Sequence, residues 1–129
     1  MNLLIVHAHH EPQSFVTSMK DLAVQHFEHA GWSVQVSDLY AMGFNPVASA
    51  DDFSARKSPD YLTYALEQRH GWQTGTLAPD IVAEVEKVQW ADLIIFSFPV
   101  YWYSMPAILK GWVDRVFISG VCYGGTRIY

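Results

Sequence analysis

A single cysteine, Cys122, stands in 129 residues, so neither an intramolecular disulfide nor a paired-cysteine metal motif can form. Basic residues are also scarce. Eight Lys and Arg, scattered along the chain, face thirteen Asp and Glu, and the net charge is −5. Without a basic stripe to neutralise phosphates, nucleic acid is not expected as a partner. No apolar run approaches the ~18–20 residues of a membrane-spanning helix. The opening Met1–Val6 has too short an apolar stretch and no basic leader to read as a signal peptide. A cytoplasmic protein without membrane insertion is the expectation. Internal repeats, low-complexity tracts and domain linkers are missing as well. What remains is a folding composition: half the residues are hydrophobic, 15% are aromatic and 16% are charged. The length suits one compact domain over residues 1–129.

Leu3-Leu4-Ile5-Val6 is an uninterrupted apolar run, the pattern of a strand buried on both faces of a parallel sheet. His7 to Gln13 reads as a loop punctuated by Pro12. From Ser14 to Ala30, Phe15, Met19, Leu22, Ala23, Phe27 and Ala30 recur at helical spacing, with Ser14 as N-cap and Gly31 as stop. Trp32, Val34 and Val36 then alternate with polar residues, as in a strand more exposed on one side. Residues 40 to 77 show no clear periodicity. Asp51-Asp52 and Ser58-Pro59-Asp60 are the candidate helix starts within that connection, which at this length is expected to serve function or assembly. Pro79 opens a helix with Ile81, Val82, Val85 and Val88 as its buried stripe, and Leu93-Ile94-Ile95-Phe96 is a second fully apolar strand. A last helix starts near Ser104 and Pro106, with Ile108, Leu109, Trp112, Val113, Val116 and Phe117 on its core face.

Three strands alternating with helices predict an α/β fold, an open and mostly parallel sheet with helices on both faces. Its order is 2-1-3 if the second strand packs on one side of the first and the third on the other. In such sheets ligands bind beyond the carboxyl ends of the strands, where strand order reverses. With order 2-1-3 that crevice lies between strands one and three, under the loops His7–Gln13 and Ser97–Tyr103. The first loop feeds a helix start bearing Ser14, Thr17 and Ser18, where free N–H groups and hydroxyls favour an anion. Neither a G-x-G-x-x-G nor a Walker lysine is present, so the two commonest phosphate loops are excluded. Ser14 as a simple helix cap fits this region too. The second loop, Pro99-Val100-Tyr101-Trp102-Tyr103, packs three aromatics and a proline into five residues after a buried strand. A flat ring cofactor wants such an apolar wall with backbone polar groups at its edge. Ordinary core aromatics beneath the next helix are the other reading, and the two stand level.

Several stretches carry a resemblance. His9 with Ser14-Phe15, Ser37-Asp38-Leu39-Tyr40-Ala41-Met42 with Phe44-Asn45-Pro46, Leu77-Ala78-Pro79-Asp80-Ile81-Val82-Ala83-Glu84, and Pro99–Tyr103 with Pro106-Ala107-Ile108-Leu109-Lys110-Gly111-Trp112 run in order along essentially the whole chain. Together they resemble the NAD(P)H:quinone oxidoreductase family of flavodoxin-like homodimers. The resemblance implies FAD, with FMN as the alternative, and two-electron hydride transfer from NAD(P)H through the flavin to a quinone. It assigns His9, Ser14 and Phe15 to the cofactor's phosphate and ribose, and Pro99, Val100, Tyr101, Trp102 and Tyr103 to the isoalloxazine. Tyr123 falls where the family places an aromatic of the substrate pocket, contributed across the dimer. Val16 stands where the family often has Asn. Family members continue further, to a fourth strand, a glycine-rich flavin loop and a catalytic Tyr/His pair that would lie beyond residue 129. The fold expected here is accordingly an incomplete one. Two other roles share the resemblance: a non-catalytic regulatory subunit of the potassium-efflux accessory type, and an inactive truncated member.

His7, His9 and His10 crowd one loop, but no cysteine or acid completes a zinc set, so no metal is expected. Cys122 beside Gly124-Gly125 lacks a resolving partner and reads as a small buried or interface residue. Asp38 at a strand end mimics the ribose-binding acid of a dinucleotide fold, without the glycine fingerprint that would support it. Lys110 and Asp114 read as a solvated helical pair.

Overall fold

The computed structural model describes residues 1–125. In chain order the elements are β1 (Asn2–His7), α1 (Phe15–His29), β2 (Ser33–Asp38), a 3-10 turn (Ala50–Asp52), α2 (Tyr64–Thr74), α3 (Pro79–Trp90), β3 (Leu93–Ser97) and α4 (Ala107–Val116). The three strands form one parallel sheet, as the crossover pattern predicts, and its order is β2-β1-β3, the arrangement that puts a switch point between β1 and β3. His7 lies opposite Asp38 on one side and Ser97 on the other, so all three strands end on one line. His7 and Ser97 belong to their strands; the loop boundaries read from sequence shift by one residue at each.

Side chains alternate across the sheet. Leu4, Val6 and Ala8 join Leu39, Ile81, Val85, Leu109, Trp112 and Val116 in the main core, under α3 and α4. Leu3, Ile5 and His7 point to the α1 face. β1 is fully buried from Leu3 to Val6, as its composition demands. α1 starts where Ser14 caps it, its Oγ accepting the Thr17 N–H at 3.1 Å. Its stripe is only partly covered: Phe15, Met19 and Leu22 are exposed.

The connection after β2 holds the helix that periodicity missed. α2 carries no apolar stripe because its buried residues are Glu67, Gln68 and Gly71. Glu67 accepts the N–H groups of Lys57 and Ser58, at 2.8 and 2.9 Å. Those two amides, Ser58 foremost, hold its carboxyl below the usual range. Gln68 donates to the Asp114 carbonyl at 2.9 Å, and Gly71 leaves room for Leu77. Polar contacts anchor this helix beside Tyr64 and Trp72, which pack on the core eight residues apart and leave too sparse a hydrophobic rhythm to reveal it.

Arg115, fully buried in α4, fastens the same connection to the core. It pairs with Asp52 at 2.8 Å and Asp80 at 2.6 Å, and donates to the Asn45 carbonyl at 2.9 Å. Tyr64 donates to Asp52 as well. Burial opposes both charges, yet each is held ionised by the other: Asp52 titrates below its ordinary value and Arg115 above its own. A Cβ on Gly111 would fall 2.1 Å from the Pro46 carbonyl oxygen. The Phe44-Asn45-Pro46 turn and the Lys110-Gly111-Trp112 stretch thus belong to one contact. Glu84 completes the floor, accepting from Ser37 Oγ (2.6 Å), Trp112 Nε1 (2.9 Å) and Lys87 Nζ (2.6 Å). The exposed Lys110–Asp114 pair forms at 2.7 Å, as its spacing predicts.

Candidate functional site

The aligned strand ends bring the two expected loops together. In the first, Glu11 organises the turn. Its carboxylate accepts the Gln13 N–H at 2.8 Å, and its N–H donates to His9 Nδ1 at 3.0 Å. His9 stacks on His10 with ring centres 4.9 Å apart, and His10 meets Tyr40 edge-on. Together with His7, Lys20, Asp38 and Tyr40, His9 lines an open hollow of about 560 Å³ on the β2 side. Among the described residues no three His, Cys, Asp or Glu side chains converge as a metal set would.

Ser14 is used twice by its own helix. Beyond accepting from Thr17, its hydroxyl donates to Thr17 Oγ1 at 3.0 Å. The cap reading of Ser14 is therefore seen directly. The amides of Phe15 and Val16, in the first turn of α1, have no acceptor within the helix and point outward with its positive dipole end. Phe15, 79% exposed, turns to the other side of β1. There it shares a groove of about 350 Å³ with Met19, Ile95, Phe96, Ser97 and Phe98.

The second loop adopts an uncommon shape. Tyr101 and Ser104 exchange backbone hydrogen bonds at 2.9 and 3.0 Å, closing a tight turn over Trp102 and Tyr103. Both central residues have positive φ, 49° and 60°. A two-residue turn of this kind is normally filled by Asn-Gly; an aromatic there costs roughly 1–3 kcal/mol. The rings are not repaid by burial, since Trp102 is 94% and Tyr103 98% exposed. Of the two readings open for this cluster, core packing beneath α4 is thus excluded for Trp102 and Tyr103. Pro99 is half-buried, and Val100 and Tyr101 are exposed. None of the five lines the groove occupied by Phe15.

Tyr123 is elsewhere. Its carbonyl accepts the Gly120 N–H at 2.7 Å, and it shares a hollow of about 640 Å³ with Val88, Gln89, Ile94 and Phe117. Those residues mark the end of α3, the start of β3 and the end of α4, the opposite end of the sheet from Trp102. Within one chain, Tyr123 does not meet the two loops. Cys122, read from the sequence as a small buried or interface residue, is exposed in the single chain, and the partial burial of its thiol raises its pKa, away from the reactive thiolate.

Sequence reasoning passed over one constellation. His7 bridges Ser97 Oγ and Thr17 Oγ1, at 3.0 and 3.3 Å, beneath both loops. In the sequence His7 reads as one of three loop histidines, and its place at the end of an apolar strand is the remaining signal.

Comparison with known proteins agrees with this geometry. A family model described as a flavodoxin-like fold matches residues 1–128. NAD(P)H dehydrogenase [quinone] 1 of Rattus norvegicus is 46% identical over 127 residues, covering 98% of this chain and 46% of the relative. Ribosyldihydronicotinamide dehydrogenase [quinone] of Pongo abelii is 48% identical over 128 residues, covering 98% and 55%. Among solved structures, an NAD(P)H:quinone oxidoreductase from Methanothermobacter marburgensis superposes with a TM-score of 0.74 at 28% identity, covering 95% of this chain and 55% of that one. The chain thus spans about half the length of the curated relatives it matches. In strand order, loop placement and sequence it belongs to the family of the flavodoxin-like fold.

Proposed function

We propose that this chain forms the flavin-binding part of an NAD(P)H:quinone oxidoreductase working as a homodimer. The observation that carries the reading is the Tyr101–Ser104 turn. Two aromatics are held in a strained backbone, almost wholly exposed, at the strand ends where such folds bind ligands. Strain without burial has no structural return; a flat ring laid against the turn supplies one. The names of the relatives point the same way: they are quinone dehydrogenases.

The residues present fit such a cofactor. The α1 amino end, with the Phe15 and Val16 amides, suits its phosphate, and His9 stands in the preceding loop. Ser14 would reach a phosphate oxygen only by giving up its bond to Thr17 Oγ1. Pro99, Val100, Tyr101, Trp102 and Tyr103 would flank the ring system, with backbone N–H groups at its polar edge. Tyr123 would reach the substrate pocket of the partner subunit, consistent with its distance from the loops of its own chain. A bound flavin supplies two-electron hydride chemistry between NAD(P)H and a quinone. We take FAD as the cofactor, with FMN as the alternative.

The visible spectrum of the chain after incubation with FAD or FMN tests this. Flavin bands that survive gel filtration are expected, and Trp102→Ala should weaken retention. Absence of bound flavin under all reconstitution conditions would refute the reading.

A further inference from the structure

His7 closes β1 in register with Ser97, the last residue of β3, and its side chain is 1% exposed. Both ring nitrogens are engaged, Nδ1 with Ser97 Oγ and Nε2 with Thr17 Oγ1. The hydroxyl of Thr17 decides the direction. Its single proton goes to the Glu11 carbonyl at 3.0 Å, and it accepts the Ser14 hydroxyl. Toward His7 it has only a lone pair to offer, so Nε2 carries the proton. Nδ1 is then the acceptor, and the Ser97 hydroxyl donates to it. Burial first of all lowers the pKa of His7. Lys20 and His9 lower it further, while Asp38 and Asp21 act against this, so the imidazole is neutral at pH 7.

One buried ring therefore touches the two segments that the proposed flavin site joins. Thr17 sits in the first turn of α1, whose free amides would face a phosphate. Ser97 is followed directly by Phe98 and the Pro99–Tyr103 loop, and its carbonyl holds the Ala8 N–H at 2.8 Å. We propose that His7 is a positioning residue that locks the α1 start and the β3 exit into one flavin-binding surface, through an Nε2–H donated to Thr17 and an Nδ1 accepting from Ser97. This inference rests on the flavin reading above. It adds a residue that makes no contact with the cofactor but sets the relation between its two binding loops.

The test is FAD titration onto the full chain, followed by flavin fluorescence, for His7→Leu, Thr17→Val and Ser97→Ala, singly and with His7→Leu. His7→Leu should weaken FAD binding about ten-fold, the equivalent of a lost buried hydrogen bond or two. Ser97→Ala should weaken it several-fold, yet have almost no further effect once His7 is Leu. Thr17→Val also breaks the Glu11 and Ser14 bonds and should keep only part of its effect there. Undiminished effects in the His7→Leu background, or wild-type affinity in His7→Leu itself, would overturn the link. Should His7→Leu fail to fold, His7→Gln keeps a donor toward Thr17 and drops Ser97. In that background Ser97→Ala should be silent and Thr17→Val should not, and equal effects would overturn the link. A second readout needs no flavin: imidazole ¹⁵N shifts at pH 7 should report the Nε2–H tautomer, and an Nδ1–H tautomer or a charged ring would refute the linkage. A wild-type chain that binds no flavin sinks the flavin reading, and the tautomer then decides the link by itself.

Discussion

β1 and β3 are written in nearly the same alphabet and live in different surroundings. Leu3-Leu4-Ile5-Val6 is wholly buried, whereas Leu93 and Phe96 in Leu93-Ile94-Ile95-Phe96 are 38% and 39% exposed. The contrast extends to the elements beside them. On the α3/α4 face the segment after β2 is clamped by Arg115, Asp52 and the Gly111–Pro46 contact. On the α1 face Phe15, Met19 and Leu22 stay open beside the outer edge of β3. An apolar run states how much burial a strand can use; the neighbours decide how much it receives. Of the residues proposed to hold the flavin, Phe15 lies in the groove on that open side.

The largest expected effect would break the clamp on the closed side. Asp52→Asn leaves Arg115 buried with Asp80 as its remaining carboxylate and should cost about 3–5 kcal/mol, read from the urea midpoint. The pH dependence of stability follows from the same pair. The folded-state pKa of Asp52 lies below its unfolded value, so its contribution is full above the unfolded pKa and is lost as pH falls through the folded one. Wild-type stability should therefore fall toward acid more steeply than that of Asp52→Asn; parallel curves would remove the clamp from the account.

Gly111→Ala comes next. The added methyl meets Pro46 backbone, which has no rotamer to swing aside, and a loss of about 3 kcal/mol is expected by thermal or urea denaturation. Neutrality would mean that the Pro46 turn is free to move off α4.

The sharpest comparison uses register partners. Ile5 and Ile95 pair across β1 and β3 and face the same side of the sheet. Ile5→Ala should cost about 3 kcal/mol, and Ile95→Ala about half as much because its site is already partly open. Equal losses would show that something covers β3 in solution.

The smallest effect has the opposite sign. Trp102→Gly suits the positive φ and should leave stability unchanged or raise it by up to about 1 kcal/mol, while weakening flavin binding. A variant that loses stability would mean that the Trp102 ring packs against the protein.

The sequence announced strands and crossovers because each rests on local periodicity: period two in β2, uninterrupted apolar runs in β1 and β3, helical spacing in α1, α3 and α4. α2 was illegible for the same reason, since Glu67, Gln68 and Gly71 are buried by polar contacts and close packing that leave too sparse a hydrophobic rhythm. In the site, Ser14 was readable as a cap from its residue type, and Pro99–Tyr103 stood out by composition. That Trp102 and Tyr103 would be exposed in positive φ was not readable, because sequence carries no turn signal there: Asn and Gly are absent. His7 looked like one of three loop histidines until its partners, 10 and 90 residues away, came into place.

By itself the sequence determined three strands alternating with helices, hence a parallel α/β sheet, and two loops of unusual composition after the first and third strands. Those properties follow from side-chain periodicity and connection length, both local along the chain. Tertiary structure alone decided which apolar strand is enclosed, which buried charges pair, and how His7 joins Thr17 to Ser97. Each of these depends on contacts between residues far apart in the chain, and no local pattern encodes them.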